Sequence, residues 1–228
     1  MNVLNHILKV LFFLLVIRPI VLIYIGLNVR FGDRLPLKGP ALLVANHNSH
    51  LDTVVLMSLF PLGMLNRVRP VAAADYFLKG RFRSWFATRI IGIIPIQRKA
   101  GQDNPDDSSD KLQPLVDALE ANNIVIFFPE GTRGEPEKLG RFKKGIGLLA
   151  ERCPNVPVVP VYLNGLGKAL PRGESLLIPF FCDVFIAEPV YGRDFQSRAF
   201  VGEVKTRISA MAQANPHLQE REDDDLYF

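Results

Sequence analysis

Ala41-Leu42-Leu43-Val44-Ala45-Asn46-His47-Asn48-Ser49-His50-Leu51-Asp52 is the stretch on which the fold turns. An apolar run of strand length leads into a polar cluster, and a second apolar run, Val54-Val55-Leu56-Met57, follows. This pattern predicts a buried strand over 42–45, a polar loop at its exit and a helix starting near Leu51. His47 and Asp52 make a candidate base and its orienter. A carboxylate on one ring nitrogen fixes the imidazole tautomer and leaves the other nitrogen free to take a proton. Two other readings compete at this point. Ser49 and Asp52 fit a variant capping box, with Ser49 as the N-cap. His47, His50 and Asp52 are three possible metal ligands, but the two histidines lack the i, i+4 spacing of a helical ligand pair.

Outward from this stretch, apolar strands alternate with amphipathic helices. Strands are predicted over 70–74, 91–97, 124–128, 157–163 and 184–187. Helices are predicted over 51–59, 76–89, 111–121, 145–152 and 200–214. Leu112, Leu115, Val116 and Leu119 fall on one face of the third helix. Ile124 to Phe128 is continuously apolar, as in a strand buried on both faces. The expected fold class is α/β, a mixed, largely parallel sheet flanked by helices. Gly101 to Asp110 is polar and turn-rich and reads as a surface loop.

Residues Val3 to Leu27 are mostly apolar, with Asn5, His6, Lys9 and Arg18 as exceptions. The total length suffices to span a bilayer, but Lys9 and Arg18-Pro19 divide it into shorter pieces, and Pro19 is expected to kink or end a helix. No positive n-region and no A-x-A site support a cleaved signal. The segment is therefore expected to be a helical membrane-binding element, dipped into the interface or forming one kinked span. The expected organisation is a membrane-associating segment over 1–27, one catalytic domain over 28–215 and an acidic, disordered tail over 216–228.

The chain has 228 residues, 48% of them hydrophobic, and a net charge of +4. Its basic residues cluster: Arg67, Arg69, Lys79, Arg81, Arg83, Arg89, Arg98 and Lys99 share their stretch with Asp75 alone. Such a region suits phosphate-bearing ligands or an anionic membrane surface. No nucleic-acid-binding module accompanies it. Cys153 and Cys182 form neither a disulfide framework nor a zinc pattern.

Three further clusters carry chemistry or support it. Phe128-Pro129-Glu130-Gly131-Thr132-Arg133-Gly134 follows a buried strand, and its arginine offers a forked donor for phosphate. Pro95-Ile96-Gln97-Arg98 puts another arginine at a strand end. Val156-Pro157-Val158-Val159-Pro160 reads as an edge strand or rigid wall.

Taken in order, these clusters resemble the motifs of the glycerolipid acyltransferase family, that of bacterial 1-acylglycerol-3-phosphate acyltransferases. Asn46, His47, Ser49 and Asp52 match N-H-x-S-x-x-D. Arg98 matches the end of the second motif, Phe128 to Arg133 match F-P-E-G-T-R, and Val156 to Pro160 match the fourth. Pro95 and Gln97 depart from the second motif, and Gly134 stands where the third has serine.

The resemblance implies direct acyl transfer from acyl-CoA or acyl carrier protein to a lysophospholipid hydroxyl, making phosphatidic acid. His47 and Asp52 are then catalytic. Arg98, Glu130, Gly131, Thr132 and Arg133 face the glycerol phosphate, and Asn46, Ser49, Pro129 and Pro160 support the motifs. It implies no cofactor and no metal, and no nucleic acid partner. It places the protein on the cytoplasmic face of the inner membrane. Another lysolipid acceptor and a His/Asp metal hydrolase are the alternatives.

Overall fold

The computed structural model describes residues 3–74, 80–97, 105–134, 138–170, 178 and 180–214. Arg98, Lys99 and the acidic tail lie outside them. A mixed sheet forms the centre. Its strands are β1 (Asn28–Arg30), β2 (Ala41–Ala45), β3 (Val68–Ala73), β4 (Ile94–Ile96), β5 (Ile124–Phe127), β6 (Pro157–Asn164), β7 (Asp183–Ile186) and β8 (Val190–Tyr191). The spatial order is β1-β7-β6-β2-β5-β3-β4, with β8 also on β6. The five strands β6, β2, β5, β3 and β4 run parallel, while β7 and β8 pair antiparallel with β6. The largely parallel α/β fold is thus as expected. β1 and β8 escape the sequence pattern because two or three residues cannot display a period.

Alternation along β2 divides the core. Ala41, Leu43 and Ala45 join one apolar cluster, and Leu42 and Val44 join the other. On the first face lie α1 (Val3–Phe12, with its continuation) and α2 (Leu51–Ser58). The short helix α3 (Arg81–Trp85) continues as a π-helical turn, Phe86–Ile91, whose Ala87 and Ile91 join the same cluster. On the second face lie α4 (Pro105–Glu120), α5 (Gly145–Arg152) and α7 (Ser197–Gln213), while a short α6 (Leu166–Ala169) follows β6. Leu112, Leu115, Val116 and Leu119 are all buried, as their spacing requires.

Two expectations are corrected in the middle of the chain. The stretch Gly101 to Asp110 is not all loop, because α4 begins at Pro105. Proline suits a first helical position, where its missing N–H is unused, and a turn-rich composition hides that. The proline-bearing segment is not an edge strand either: β6 lies inside the sheet. The Pro160 carbonyl accepts the Ala187 N–H at 2.9 Å. N–H and C=O of one strand residue point the same way, so the missing N–H faces the gap where β7 gives way to β8.

The N-terminal helix runs unbroken over Val3–Tyr24, long and apolar enough to cross a membrane by length and composition. Pro19 neither ends it nor breaks it. It sits where the π-helical stretch Phe13–Ile17 ends and the next, Ile20–Tyr24, begins, and its missing N–H falls at that junction. Lys9, Phe13, Ile17, Val21 and Ile25 are buried in a stripe of exact four-residue spacing. An α-helix would swing such a stripe by about 40° per step, and the wider π turns hold it in line. The stripe seats the helix along the sheet face. Leu4, Ile7, Leu8, Leu11, Leu14, Leu15, Val16, Leu22 and Ile23 stay exposed on its other side.

Candidate active site

β2 and β5 are parallel neighbours, with Val44 abreast of Phe127. His47 and Glu130 each lie three positions beyond that pair, so the register alone brings the two polar clusters together. The His47 N–H donates to Glu130 Oε1 at 3.2 Å, and the Gly134 N–H donates to the His47 carbonyl at 2.9 Å. On the other side, Asn46 ties the end of β2 to β6. Its Nδ2 donates to the Leu163 carbonyl at 2.9 Å, and its Oδ1 accepts the Leu163 N–H at 2.7 Å. The cluster therefore sits at the carboxyl ends of central parallel strands, where open α/β sheets hold ligands.

Asp52, in the first turn of α2, is fully buried. Its Oδ2 lies 2.9 Å from His47 Nδ1 and accepts the N–H groups of Asn48 at 2.7 Å and Ser49 at 2.9 Å. One oxygen thus fixes the imidazole and the loop that carries it. Because the carboxylate engages Nδ1, Nε2 is left for a reacting proton. The ring packs flat on Phe128, with centroids 4.2 Å apart at 19°. His47 keeps 20% of its side chain exposed, enough to be reached.

The capping reading holds in shifted form: Ser49 Oγ accepts the Leu51 N–H at 3.3 Å, and Asp52 reaches back as a capping acid does. The cap and the His–Asp pair share one turn. Asp52 Oδ1 and the Asn48 side-chain amide are buried and make no hydrogen bond among the described residues.

Burial pushes the Glu130 carboxyl up from its ordinary value. The Asp52 charge adds to this, and hydrogen bonds from the His47 and Gly140 N–H groups, with the His47 charge, oppose it. A Cβ on Gly140 would come within 2.6 Å of Glu130 Oε2, so only glycine lets that chain pass. Gly131 takes the left-handed φ of +71°, which turns the loop sharply after Glu130. Pro129 is buried, Thr132 is exposed and Arg133 is half-buried. Partial burial, then the Arg133 and His47 charges, push His50 below its ordinary value, and the Asp52 charge opposes them, so the Arg133 guanidinium lies near His50.

The structure gathers Asn46, His47, Ser49, Asp52, Glu130 and Arg133 at one place. Pro160 stands one strand away, abreast of Val44. Phe128 as a stacking platform and Gly140 as a space-maker go unread in the sequence, although Phe128 belongs to a motif. Among the described residues no three His, Cys, Asp or Glu side chains group as metal ligands, so His47, His50 and Asp52 do not assemble as a trio.

The sequence pattern of the acyltransferase family matches residues 26–164. The chain is 34% identical over 154 residues to a chloroplastic 1-acyl-sn-glycerol-3-phosphate acyltransferase of Brassica napus, covering 67% of this chain and 41% of that protein. It is 31% identical over 185 residues to a chloroplastic 1-acyl-sn-glycerol-3-phosphate acyltransferase of Arabidopsis thaliana, covering 80% and 48%. The chain thus spans less than half the length of these two curated relatives. Its fold is similar to the crystal structure of the 1-acyl-sn-glycerophosphate (LPA) acyltransferase PlsC from Thermotoga maritima. The TM-score is 0.66 at 20% identity, over 94% of this chain and 97% of that one.

Proposed function

The chain belongs to the acyltransferase family, and from that premise we propose that it transfers a fatty acyl group from an acyl thioester to the free hydroxyl of 1-acylglycerol-3-phosphate. The observation that carries the reading is the 2.9 Å contact between His47 Nδ1 and a wholly buried Asp52. His47 Nε2 takes the proton of the acceptor hydroxyl as its oxygen attacks the thioester carbonyl. The new C–O bond forms, the C–S bond breaks, and the same nitrogen returns the proton to the departing thiolate. Asp52 stabilises the imidazolium between those events. The chemistry asks for no resident metal or cofactor, and acyl-CoA or acyl carrier protein serves as co-substrate.

Arg133, near His50, and Arg98 are assigned to the acceptor phosphate, because a guanidinium pair matches a phosphomonoester. Glu130 then supports the loop that carries His47. The long apolar helix is assigned to the bilayer surface on the cytoplasmic side. A helix seated on the sheet along its length has only its outer face to give to lipid, which favours the interface over a span.

The test is acyl transfer to lysophosphatidate by His47→Ala with either donor. Activity near wild type in a folded variant would remove His47 as the base. A second reading, another lysolipid acceptor, is favoured by Pro95 on β4 and Gln97 just after it, both exposed. Turnover indifferent to the acceptor's phosphate would select it.

A further inference from the structure

A second polar locus lies at the opposite edge of the sheet. Arg69 on β3 is abreast of Val125 on β5, and Val125 is abreast of Leu42 on β2. His47 follows Leu42 by five positions, roughly 16 Å further along the strands at about 3.3 Å per residue. At the amino-terminal edge a cavity of about 210 Å³ is lined by Lys9, Asn66, Arg69, Thr88, Arg89 and Gly92. Three of the six are cations and none is an acid.

Two of those cations are held by the fold. Lys9, only 1% exposed, donates to the Ile91 carbonyl at 3.1 Å, and Arg69 Nε donates to the Gly92 carbonyl at 2.7 Å. These carbonyls end the π-helical turn Phe86–Ile91, where a helix end needs donors and favours positive charge. That task uses one of three ammonium protons and one of five guanidinium protons. Arg89 caps no carbonyl among the described contacts. Burial, with Arg69 nearby, brings Lys9 down to about 7. Burial also lowers Arg69. Among the described lining residues no acid balances these groups, so their charged forms are raised in energy, and a bound anion favours them.

The surroundings name the source of the anion. α1 and the α3 segment pack together through Phe12 and Phe86, edge to face with centroids 5.2 Å apart. Around that seam α1 exposes Ile7, Leu8 and Leu11, and α3 exposes Phe82, between Arg81 and Arg83, and Trp85 two residues after Arg83. Apolar side chains interleaved with basic ones are the pattern of a bilayer surface, and basic pockets between such helices take lipid headgroups.

We propose that the Lys9–Arg69–Arg89 cavity is a binding site for the phosphate of an anionic phospholipid, separate from the site of acyl transfer. It rests on the membrane seat argued above and not on the chemistry of His47. The test is binding of the full chain to phosphatidylcholine vesicles with and without phosphatidylglycerol, comparing wild type, Arg89→Gln and Arg81→Gln.

Arg89→Gln is expected to lose more affinity for the phosphatidylglycerol vesicles than the about fivefold that one basic residue at such a surface contributes. It should lose nothing on phosphatidylcholine alone and keep wild-type acyl transfer on detergent-dispersed substrate. Arg81→Gln, basic and exposed on the same helix but outside the cavity, is expected to lose less. Equal losses in the two variants would mean diffuse surface charge and would overturn the site. So would inorganic phosphate that raises thermal stability in wild type but not in Arg89→Gln and leaves vesicle binding unchanged, since the ligand would then be a soluble phosphate. Arg69→Gln, which keeps a side-chain amide for the Gly92 carbonyl, should repeat the Arg89→Gln result. The His47→Ala protein should bind vesicles as wild type does, so the two readings fail separately.

Discussion

The His47 locus and the Lys9 locus occupy opposite edges of one sheet and satisfy their charges in opposite ways. At the carboxyl edge, the Asp52 carboxylate is aimed at His47, Asn48 and Ser49, and Glu130 at the His47 backbone. At the amino edge, Lys9 and Arg69 each engage one carbonyl and line a cavity. A base must be oriented before substrate arrives, so its partners come from the protein. A binding cation needs donors left over, so its partner comes from outside.

The largest effect expected is at the base. His47→Ala should lower kcat by about 10²- to 10⁴-fold, the range for a positioned general base. Thermal stability should change little, because the ring is held by one carboxylate and one aromatic face. Asp52→Asn should lower kcat less, toward about 10²-fold, since an amide can still meet the two N–H groups but cannot stabilise the imidazolium. It should also cost stability, which His47→Ala should not. An Asp52→Asn protein with full kcat would reduce the carboxylate to a helix cap and remove the contrast between the two edges.

Gly140→Ala probes the layer behind the base. The new methyl would meet Glu130 Oε2 at 2.6 Å and force the carboxylate or the loop aside. Overpacking of this kind costs about 1–3 kcal/mol. If Glu130 holds the His47 loop, kcat should fall together with the melting temperature. A lower melting temperature with unchanged kcat would separate Glu130 from the reaction.

Parts of this arrangement are legible in the sequence because they are local. His47 and Asp52 are five residues apart at the exit of an apolar run, and a strand followed by a helix places them face to face. The alternation of runs likewise gives the parallel sheet. What depends on register or on distant contact is not legible. Glu130 reads as a loop residue on the phosphate side, and its engagement with the His47 N–H follows from Val44 standing abreast of Phe127. Lys9 reads as a break in an apolar helix, whereas it is the first member of the buried stripe and meets a carbonyl 82 positions away. Pro19 reads as a kink or a stop, whereas the helix continues through it, and the π-helical turns that flank it have no signature in one sequence.

The smallest effect expected lies in the pH dependence of stability and bears on what holding the base costs. Burial raises the Glu130 carboxyl above 4.5 in the folded protein. Between its unfolded and folded values the native state carries more protons than the unfolded one. The contribution of Glu130 is therefore fully present below its unfolded value and is lost as pH rises through the folded one. Glu130→Gln keeps an oxygen to accept the His47 N–H but cannot ionise. Relative to wild type, the variant should gain stability as pH rises through that window and match it more closely in acid. A wild type and variant that run parallel across the whole range would show that the buried acid ionises at no penalty, and the catalytic edge would then be as relaxed as its hydrogen bonds suggest. A diverging pair would mean that a destabilised carboxylate is retained there to hold the His47 loop, a trade of stability for position of the kind active sites make.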